Sequence, residues 1–314
     1  MSVVRETESR PERSGHGRLL LTGWFSFTDG EATAGDVLSL HRVQASLDRR
    51  GTAYDIAWSS GFRPDGLHLE DLDPDRYSTL VFLCGPLHGP QVEALHERFA
   101  HCARLAVGTS VLDPADPAVL GFHHVLPRDA PGREPRRDLA ASAPPAGVPP
   151  VVGVVLTHGQ HEYGSRRRHE SAGDTLTGWL GGKDCARLEL DTRLDIRDWR
   201  HCATTAQFEA AVARLDLVVT NRLHGLVVAL RCGVPALAVD PVQGGAKLTA
   251  QARACRWPAV VAAESADAGR LDHWWDWCLG PGVPLARLRG AEFRDAPESE
   301  LLRGLDEALR SAPH

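Results

Sequence analysis

The sequence predicts an α/β protein made of two doubly wound units that face a cleft. Three observations predict it. Short, branched apolar runs alternate along the chain with stretches of helical apolar spacing, the order expected of parallel sheets covered by helices. A Pro-rich segment separates these alternations into two sets. The length, 314 residues, is about twice that of an ordinary domain.

The polar stretch 1–17 reads as a disordered leader. Residues 18–22 (RLLLT) suit a buried parallel strand. After a Gly-containing loop, Val37, Leu40, Val43 and Leu47 recur at helical spacing across 36–49. Residues 52–58 and 80–83 read as strands. Residues 91–99, behind Pro90, read as a helix, and 105–107 as a fourth strand. These elements make an N-terminal domain over 18–128. Residues 129–150 hold six Pro and few large apolar residues, so they read as a linker. The second domain, 151–314, opens on the strand 151–156. Residues 188–190 suit the next strand, and 205–215 a helix capped by Thr204 or Thr205. Strand 217–220, helix 222–232, strand 236–239 and helix 246–254 follow, and an amphipathic helix over 298–310 closes the chain.

Apolar residues are 43% and charged residues 24% of the chain, which excludes global disorder. Thirty-five basic against 41 acidic residues leave a net charge of −6, which argues against non-specific nucleic-acid binding. No apolar run is long enough to span a membrane, and the N-terminus lacks the apolar core of a secretion signal, so a cytoplasmic location is expected. The seven Cys, at 84, 102, 185, 202, 232, 255 and 278, form no C-x-x-C pair and read as reduced thiols. H-E-x-x-H is absent, and no metal site is expected.

The chemistry concentrates in residues 215–240, LDLVVTNRLHGLVVALRCGVPALAVD. The spacing predicts a strand, a tight turn, a helix, a turn and a second strand. Asn221 is placed to cap the helix, Leu223, Leu226, Val227 and Leu230 form its apolar stripe, and Gly233 with Pro235 ends it. Arg222 and His224 then stand in the first turn, where free N–H groups and the helix dipole favour an anion. An Arg fork beside an imidazole suits a phosphate or carboxylate. The same residues equally suit an Arg paired with a nearby acid and a His packed on the domain.

This segment resembles the signature of the polysaccharide pyruvyl transferase family. Gly245-Ala-Lys247-Leu248 is similar to a further family segment, here without its Asp. Ala34-Gly35-Asp36-Val37 resembles an N-terminal motif, with Ala in place of Asn. The resemblance implies two Rossmann-like domains in a glycosyltransferase-B-like fold. It implies transfer of the enolpyruvyl unit of phosphoenolpyruvate to a sugar or sugar-like acceptor, with release of phosphate and no metal or organic cofactor. Arg222 and His224 become the central catalytic residues. Arg222 would hold the donor's phosphate or carboxylate, and His224 would protonate the enol methylene or stabilise the leaving phosphate. The chain departs from the family in two places. Cys84-Gly85-Pro86-Leu87-His88-Gly89 replaces a run of glycines, and Thr157-His158-Gly159-Gln160-His161 replaces an Arg after the first strand of the second domain.

Asn221, Lys247, His158, Arg166 and Gly244 are the expected donor contacts. His158 and His161 follow a strand end, Arg166–Arg168 is a basic run that is otherwise a solvated face, and Gly244-Gly245 can cradle an anion ahead of a helix. Gly35, Asp36 and His88 are the expected acceptor contacts, with Asp36 equally suited to helix capping. Cys84 reads as core, not nucleophile. His273-Trp274-Trp275-Asp276-Trp277 reads as packing. A homo-oligomer is compatible with the sequence. Other readings stay open: a glycosyltransferase using a nucleotide sugar, or a degenerate homologue that binds without turnover. A dinucleotide oxidoreductase is weakest, because no G-x-G-x-x-G follows the first strand.

Overall fold

The computed structural model describes residues 18–28, 32–157, 161–295 and 299–311. The expected leader 1–17, His158 and the first residue of the expected terminal helix, Glu298, lie outside them. The chain divides into two units, residues 1–146 and 147–314.

The first unit runs β1 (Arg18–Gly23), α1 (Ala34–Arg49), β2 (Tyr54–Trp58), β3 (Leu67–His68), β4 (Tyr77–Leu83), α2 (Pro90–Arg98), β5 (Ala103–Ser110), α3 (Pro117–Leu120) and β6 (His124–Asp129). Its sheet is parallel, in the order β3-β2-β1-β4-β5-β6. Winding reverses between β1 and β4, so the crevice favoured for ligands lies at their carboxyl ends. Successive residues of the central strands point to opposite faces. Leu20, Leu80 and Phe82 join one apolar cluster, while Leu21, Val81 and Leu83 join another with Leu40 of α1. Burial on both faces is why these strands read as continuous apolar runs.

The Pro-rich stretch belongs in large part to this unit. A 3-10 turn, Leu139–Ser142, packs on α1. Asp138 accepts from Ser39 Oγ at 3.1 Å and from Arg128 Nη1 at 2.6 Å, and Arg42 Nε donates to Ser142 Oγ at 3.2 Å. The division between units falls at 146/147, inside the stretch read as a linker.

The second unit runs β7 (Val151–Val155), α4 (His169–Gly181), β8 (Ala186–Glu189), α5 (Thr205–Val212), β9 (Leu217–Thr220), α6 (Leu223–Arg231), β10 (Ala236–Asp240), α7 (Lys247–Ala254), β11 (Val260–Ala262), α8 (Ala268–Leu279), α9 (Gly282–Arg294) and α10 (Glu300–Ser311). The parallel sheet has the order β11-β10-β9-β7-β8, with reversal between β7 and β9. Both units are α/β with parallel sheets, as the sequence predicts. Val152, Val155, Leu217, Val219, Leu226 and Leu230 form the centre of the core. The Trp run packs into it: Trp275 is buried, Trp274 and Trp277 lie against the core, and Trp179 donates from Nε1 to Asp272 at 2.7 Å. Among the described residues, no helix is long and apolar enough to cross a membrane.

Candidate active site

The turn after β9 is built by nonlocal contacts. Thr220 Oγ1 donates to Val155 O at 2.6 Å and accepts from Arg222 N at 2.9 Å. Asn221 is buried, and its amide clasps Thr157. Its Oδ1 accepts from Thr157 N at 2.7 Å, and its Nδ2 donates to Thr157 O at 3.2 Å. This joins the carboxyl ends of β7 and β9 at the point where winding reverses. Asn221 is therefore not the helix cap that the sequence predicts. Arg222 is the N-cap, and its own side chain makes no capping bond to the first N–H groups of α6. Gly225 lets this end approach the sheet, because a Cβ there would lie 2.3 Å from Thr220 Oγ1.

A pocket of about 230 Å³ opens at this end of α6. Asn221, Arg222 and His224 line it from one side, Asp240 and Val242 after β10 from another, and Lys247 at the start of α7 from a third. His224 is exposed. Arg222 donates from Nη1 to Asp191 Oδ1 at 2.8 Å, so the acidic partner weighed from sequence exists in the loop after β8. The guanidinium is 27% exposed, and a fork with one arm engaged can still offer the other. Lys247 Nζ lies 4.0 Å from Glu162 Oε1 and 5.5 Å from the centre of the Tyr163 ring. That ring stacks at 6.2 Å on His169, which is buried, and burial pushes the His169 imidazole down from its ordinary value.

Asp240 organises the far wall. Buried at the end of β10, it accepts from Val242 N at 3.1 Å, Ala246 N at 2.8 Å, Thr249 N at 2.9 Å and Thr249 Oγ1 at 2.6 Å. These bonds hold the turn that carries Gly244 and Gly245, both at φ +79°. Gly244 does not cradle an outside anion here, because its N–H already donates to Glu264 Oε1 at 3.0 Å. The Glu264 carboxyl is held below its usual range by its own backbone N–H and by that of Gly244. The start of α7 is thus filled by the chain's own carboxylates, and among the described residues the start of α6 has no such carboxylate.

Four expected residues therefore meet at one pocket: Asn221, Arg222, His224 and Lys247. Two others do not line it. Gly244 is tied to Glu264, and Arg166 is exposed, its carbonyl accepting from Gln243 N at 2.9 Å. Its neighbour Arg168 donates from Nη2 to Gln243 Oε1 at 2.8 Å, so the basic run braces the turn after β10. Asp191, Asp240, Glu162, Tyr163 and Glu264 carry no local motif and emerge only from the fold.

On the first unit, Asp36 completes a capping box with Thr33. Asp36 N donates to Thr33 Oγ1 at 3.2 Å, and Thr33 Oγ1 donates to Asp36 Oδ2 at 2.7 Å. Gly35 beside it is exposed. His88 is exposed and pairs through Nδ1 with Asp116 Oδ2 at 2.7 Å. Cys84 is buried, and burial pushes its thiol up to about 11, which suits core and not a nucleophile.

Residues 187–241 match the family model for polysaccharide pyruvyl transferase. The family resemblance holds over that segment. It takes in Asp191, Asn221, Arg222, His224 and Asp240 and stops short of Lys247. No curated protein matches the chain. Solved structures similar to it include the spinosyn rhamnosyltransferase SpnG complexed with spinosyn aglycone, at 12% identity, covering 92% of this chain and 100% of that one, with a TM-score of 0.34. The spinosyn forosaminyltransferase SpnP is similar at 10% identity, 95% and 100% coverage and TM-score 0.35. The UDP-GlcNAc 2-epimerase of Methanocaldococcus jannaschii in complex with UDP-GlcNAc and UDP is similar at 10% identity, 83% and 92% coverage and TM-score 0.30.

Proposed function

We propose that the protein is a pyruvyl transferase that moves the enolpyruvyl unit of phosphoenolpyruvate onto a sugar or sugar-like acceptor. The family match supports a transferase. One observation carries the finer reading: Arg222, His224 and Lys247 line one pocket at the N-terminus of α6. Phosphoenolpyruvate carries a phosphate and a carboxylate close together and needs two cationic anchors. In this reading the phosphate takes the α6 N–H groups and the free arm of Arg222, and the carboxylate takes Lys247.

His224 lines the same pocket and is assigned the role of acid. Imidazole as a class exchanges protons near neutral pH. Protonating the donor's methylene makes a methyl group and leaves the adjacent carbon electron-poor. An acceptor hydroxyl adds to that carbon, the C–O bond to phosphate breaks with its electron pair leaving on phosphate, and a second hydroxyl closes the ketal. Of the two hydroxyl protons, one replaces the proton given to the methylene and the other leaves with phosphate. We assign the acceptor to the N-terminal unit, with Gly35, Asp36 and His88 as its contacts.

Calorimetric titration with phosphoenolpyruvate, and separately with UDP, GDP and TDP sugars, tests this reading without knowledge of the acceptor. Saturable binding of phosphoenolpyruvate that is lost in the Arg222→Ala, His224→Ala double variant is expected. Binding of a nucleotide sugar with no response to phosphoenolpyruvate would overturn it in favour of glycosyl transfer.

A further inference from the structure

We propose that Asp191 is a positioning residue for the donor site: it fixes one arm of the Arg222 guanidinium so that the remaining N–H groups of the fork are held for an anion in the pocket. The proposal rests on the pyruvyl-transfer reading for the donor, while the anchoring itself is a property of the second unit alone.

Strand order brings the two residues together. In the second sheet β8 and β9 flank β7, one on each side. Leu190 N donates to Val154 O at 3.0 Å, so Asp191 is the first residue beyond the ladder on one side. Thr220 is registered with Val155 on the other side, and Arg222 follows shortly after it. Strands that share a neighbour lie about 10 Å apart. The long Arg222 side chain crosses that distance over the end of β7, and its Nη1 donates to Asp191 Oδ1 at 2.8 Å.

Both ends of the crossing are fixed by the protein. At the root, Arg222 N donates to Thr220 Oγ1 at 2.9 Å, and Arg222 O accepts from Leu226 N at 3.2 Å. At the tip, Asp191 Oδ1 also accepts from Arg193 N at 2.8 Å, and Asp191 Oδ2 lies 3.8 Å from His201 Nε2. Arg193 Nη2 donates to that ring nitrogen at 2.8 Å, and Asp195 N closes the loop on Cys202 O at 3.0 Å. The loop after β8 therefore sets the place of the carboxylate without help from Arg222.

The pairing is also incomplete. A pair that satisfies both partners is a two-bond fork, whereas Asp191 takes Arg222 through one oxygen and one nitrogen. Among the described residues, Nε and Nη2 of Arg222 have no partner, and Arg222 lines the pocket. The bond to Asp191 stops the side chain from swinging and leaves these donors for a ligand. The negative charge of Asp191 opposes any anion bound nearby. A positioning role and a purely competing role therefore predict opposite results when Asp191 is removed. Loss of positioning weakens a ligand that has to engage through phosphate and carboxylate together, and loss of a competitor strengthens every anion.

Two arms test this on the full chain. In the first, nitrogen-15 NMR of the Arg222 side chain, assigned by its loss in Arg222→Lys, is recorded without ligand. Wild type should give two separate Nη resonances, because the held nitrogen slows rotation about the Nε–Cζ bond, and Asp191→Ala should merge them. A single averaged resonance in wild type, or two that persist in Asp191→Ala, overturns the anchoring whatever the donor is. In the second, calorimetry compares phosphoenolpyruvate with inorganic phosphate. Asp191→Ala should weaken phosphoenolpyruvate by about tenfold, while Asp191→Asn, which keeps the accepting oxygen and the shape, stays within about threefold of wild type. Inorganic phosphate, a single anion that needs no fixed fork, should stay within about threefold in both variants. Equal or tighter binding of phosphoenolpyruvate by Asp191→Ala overturns the proposal. So does equal weakening of both ligands, which damage to the pocket alone would produce. Failure of wild type to bind phosphoenolpyruvate overturns the donor reading and leaves the NMR arm to judge the anchor.

Discussion

Gly225→Ala tests how the site is assembled. The new Cβ would lie 2.3 Å from Thr220 Oγ1, 3.0 Å from Thr220 Cβ and 3.2 Å from Val155 Cγ1. Thr220 cannot simply turn away, because its hydroxyl bridges Val155 O and Arg222 N. Crowding of this kind costs about 1–3 kcal/mol. Each displaced hydrogen bond adds about 1 kcal/mol, and the better helix propensity of Ala returns about the same for one of them. The expected loss is about 2–4 kcal/mol, or roughly 4–16 °C in the melting temperature of the second unit. Urea unfolding followed by Trp fluorescence measures it. The double variant with Thr220→Ala removes the clashing oxygen, so its cost should fall short of the sum of the single costs. Strict additivity, or a Gly225→Ala protein within about 0.5 kcal/mol of wild type, would refute the claim that α6 is seated this closely.

Asp240→Ala should destabilise the second unit by about 3–5 kcal/mol, since three backbone N–H groups and the Thr249 hydroxyl lose one buried carboxylate, and urea unfolding reads this directly. Lys247→Met should leave stability unchanged, because the ammonium is 44% exposed with its acid 4.0 Å away, yet weaken phosphoenolpyruvate about tenfold by calorimetry. Burial pushes the Cys84 thiol up to about 11 and that of Cys278 up to about 12. A raised folded value gives stability that is full below the unfolded value near 9 and is lost as pH rises through the folded values, so unfolding free energy should fall between about pH 9 and 12. Iodoacetamide at pH 8 should leave both thiols unmodified in the native protein and label them in urea.

What was legible in the sequence was local. Residues 217–240 fold as strand, turn, helix and strand because branched runs, a short turn and the Gly233 stop agree within one stretch. Arg222, His224 and Lys247 were found because they sit at strand ends, which the fold class places on one edge. The misreadings share one cause. Asn221 has the chemistry of a cap, but Thr157, 64 residues earlier, takes its amide through the β7–β9 pairing. Gly244 reads as an open cradle until Glu264, which follows β11, is brought to it. Asp191 reaches Arg222 only because β8 lies beside β7. Such partners follow from strand order, which apolar spacing does not encode. Helix α9 illustrates the other limit. It starts at Gly282 with Pro284 in its first turn and ends its buried face on Ala286 and Gly290. Small residues fit that close packing and leave almost no apolar periodicity to read.

The two helix starts at the pocket separate positioning from binding. Both α6 and α7 begin at strand ends, and both qualify by sequence as anion sites. Asp240 and Glu264 bring two negative charges to the α7 start, so a third anion there would meet repulsion and displace hydrogen bonds already made. Among the described residues, no carboxylate does the same at α6. Its neighbouring cation is held by Asp191 through one nitrogen, and Lys247 is opposed only at 4.0 Å. A ligand with one strong anion at α6 and a second, weaker one near Lys247 matches this division. A diphosphate spread over both helix starts does not, because the α7 half of its site is already occupied by the protein. In the proposed reading, phosphoenolpyruvate therefore takes the α6 start and Lys247 and leaves the α7 start to the protein. Glu264→Gln, which removes one of the two α7 charges, should then leave phosphoenolpyruvate affinity within about twofold of wild type by calorimetry. A gain of about tenfold would mean that the anion reaches α7 after all.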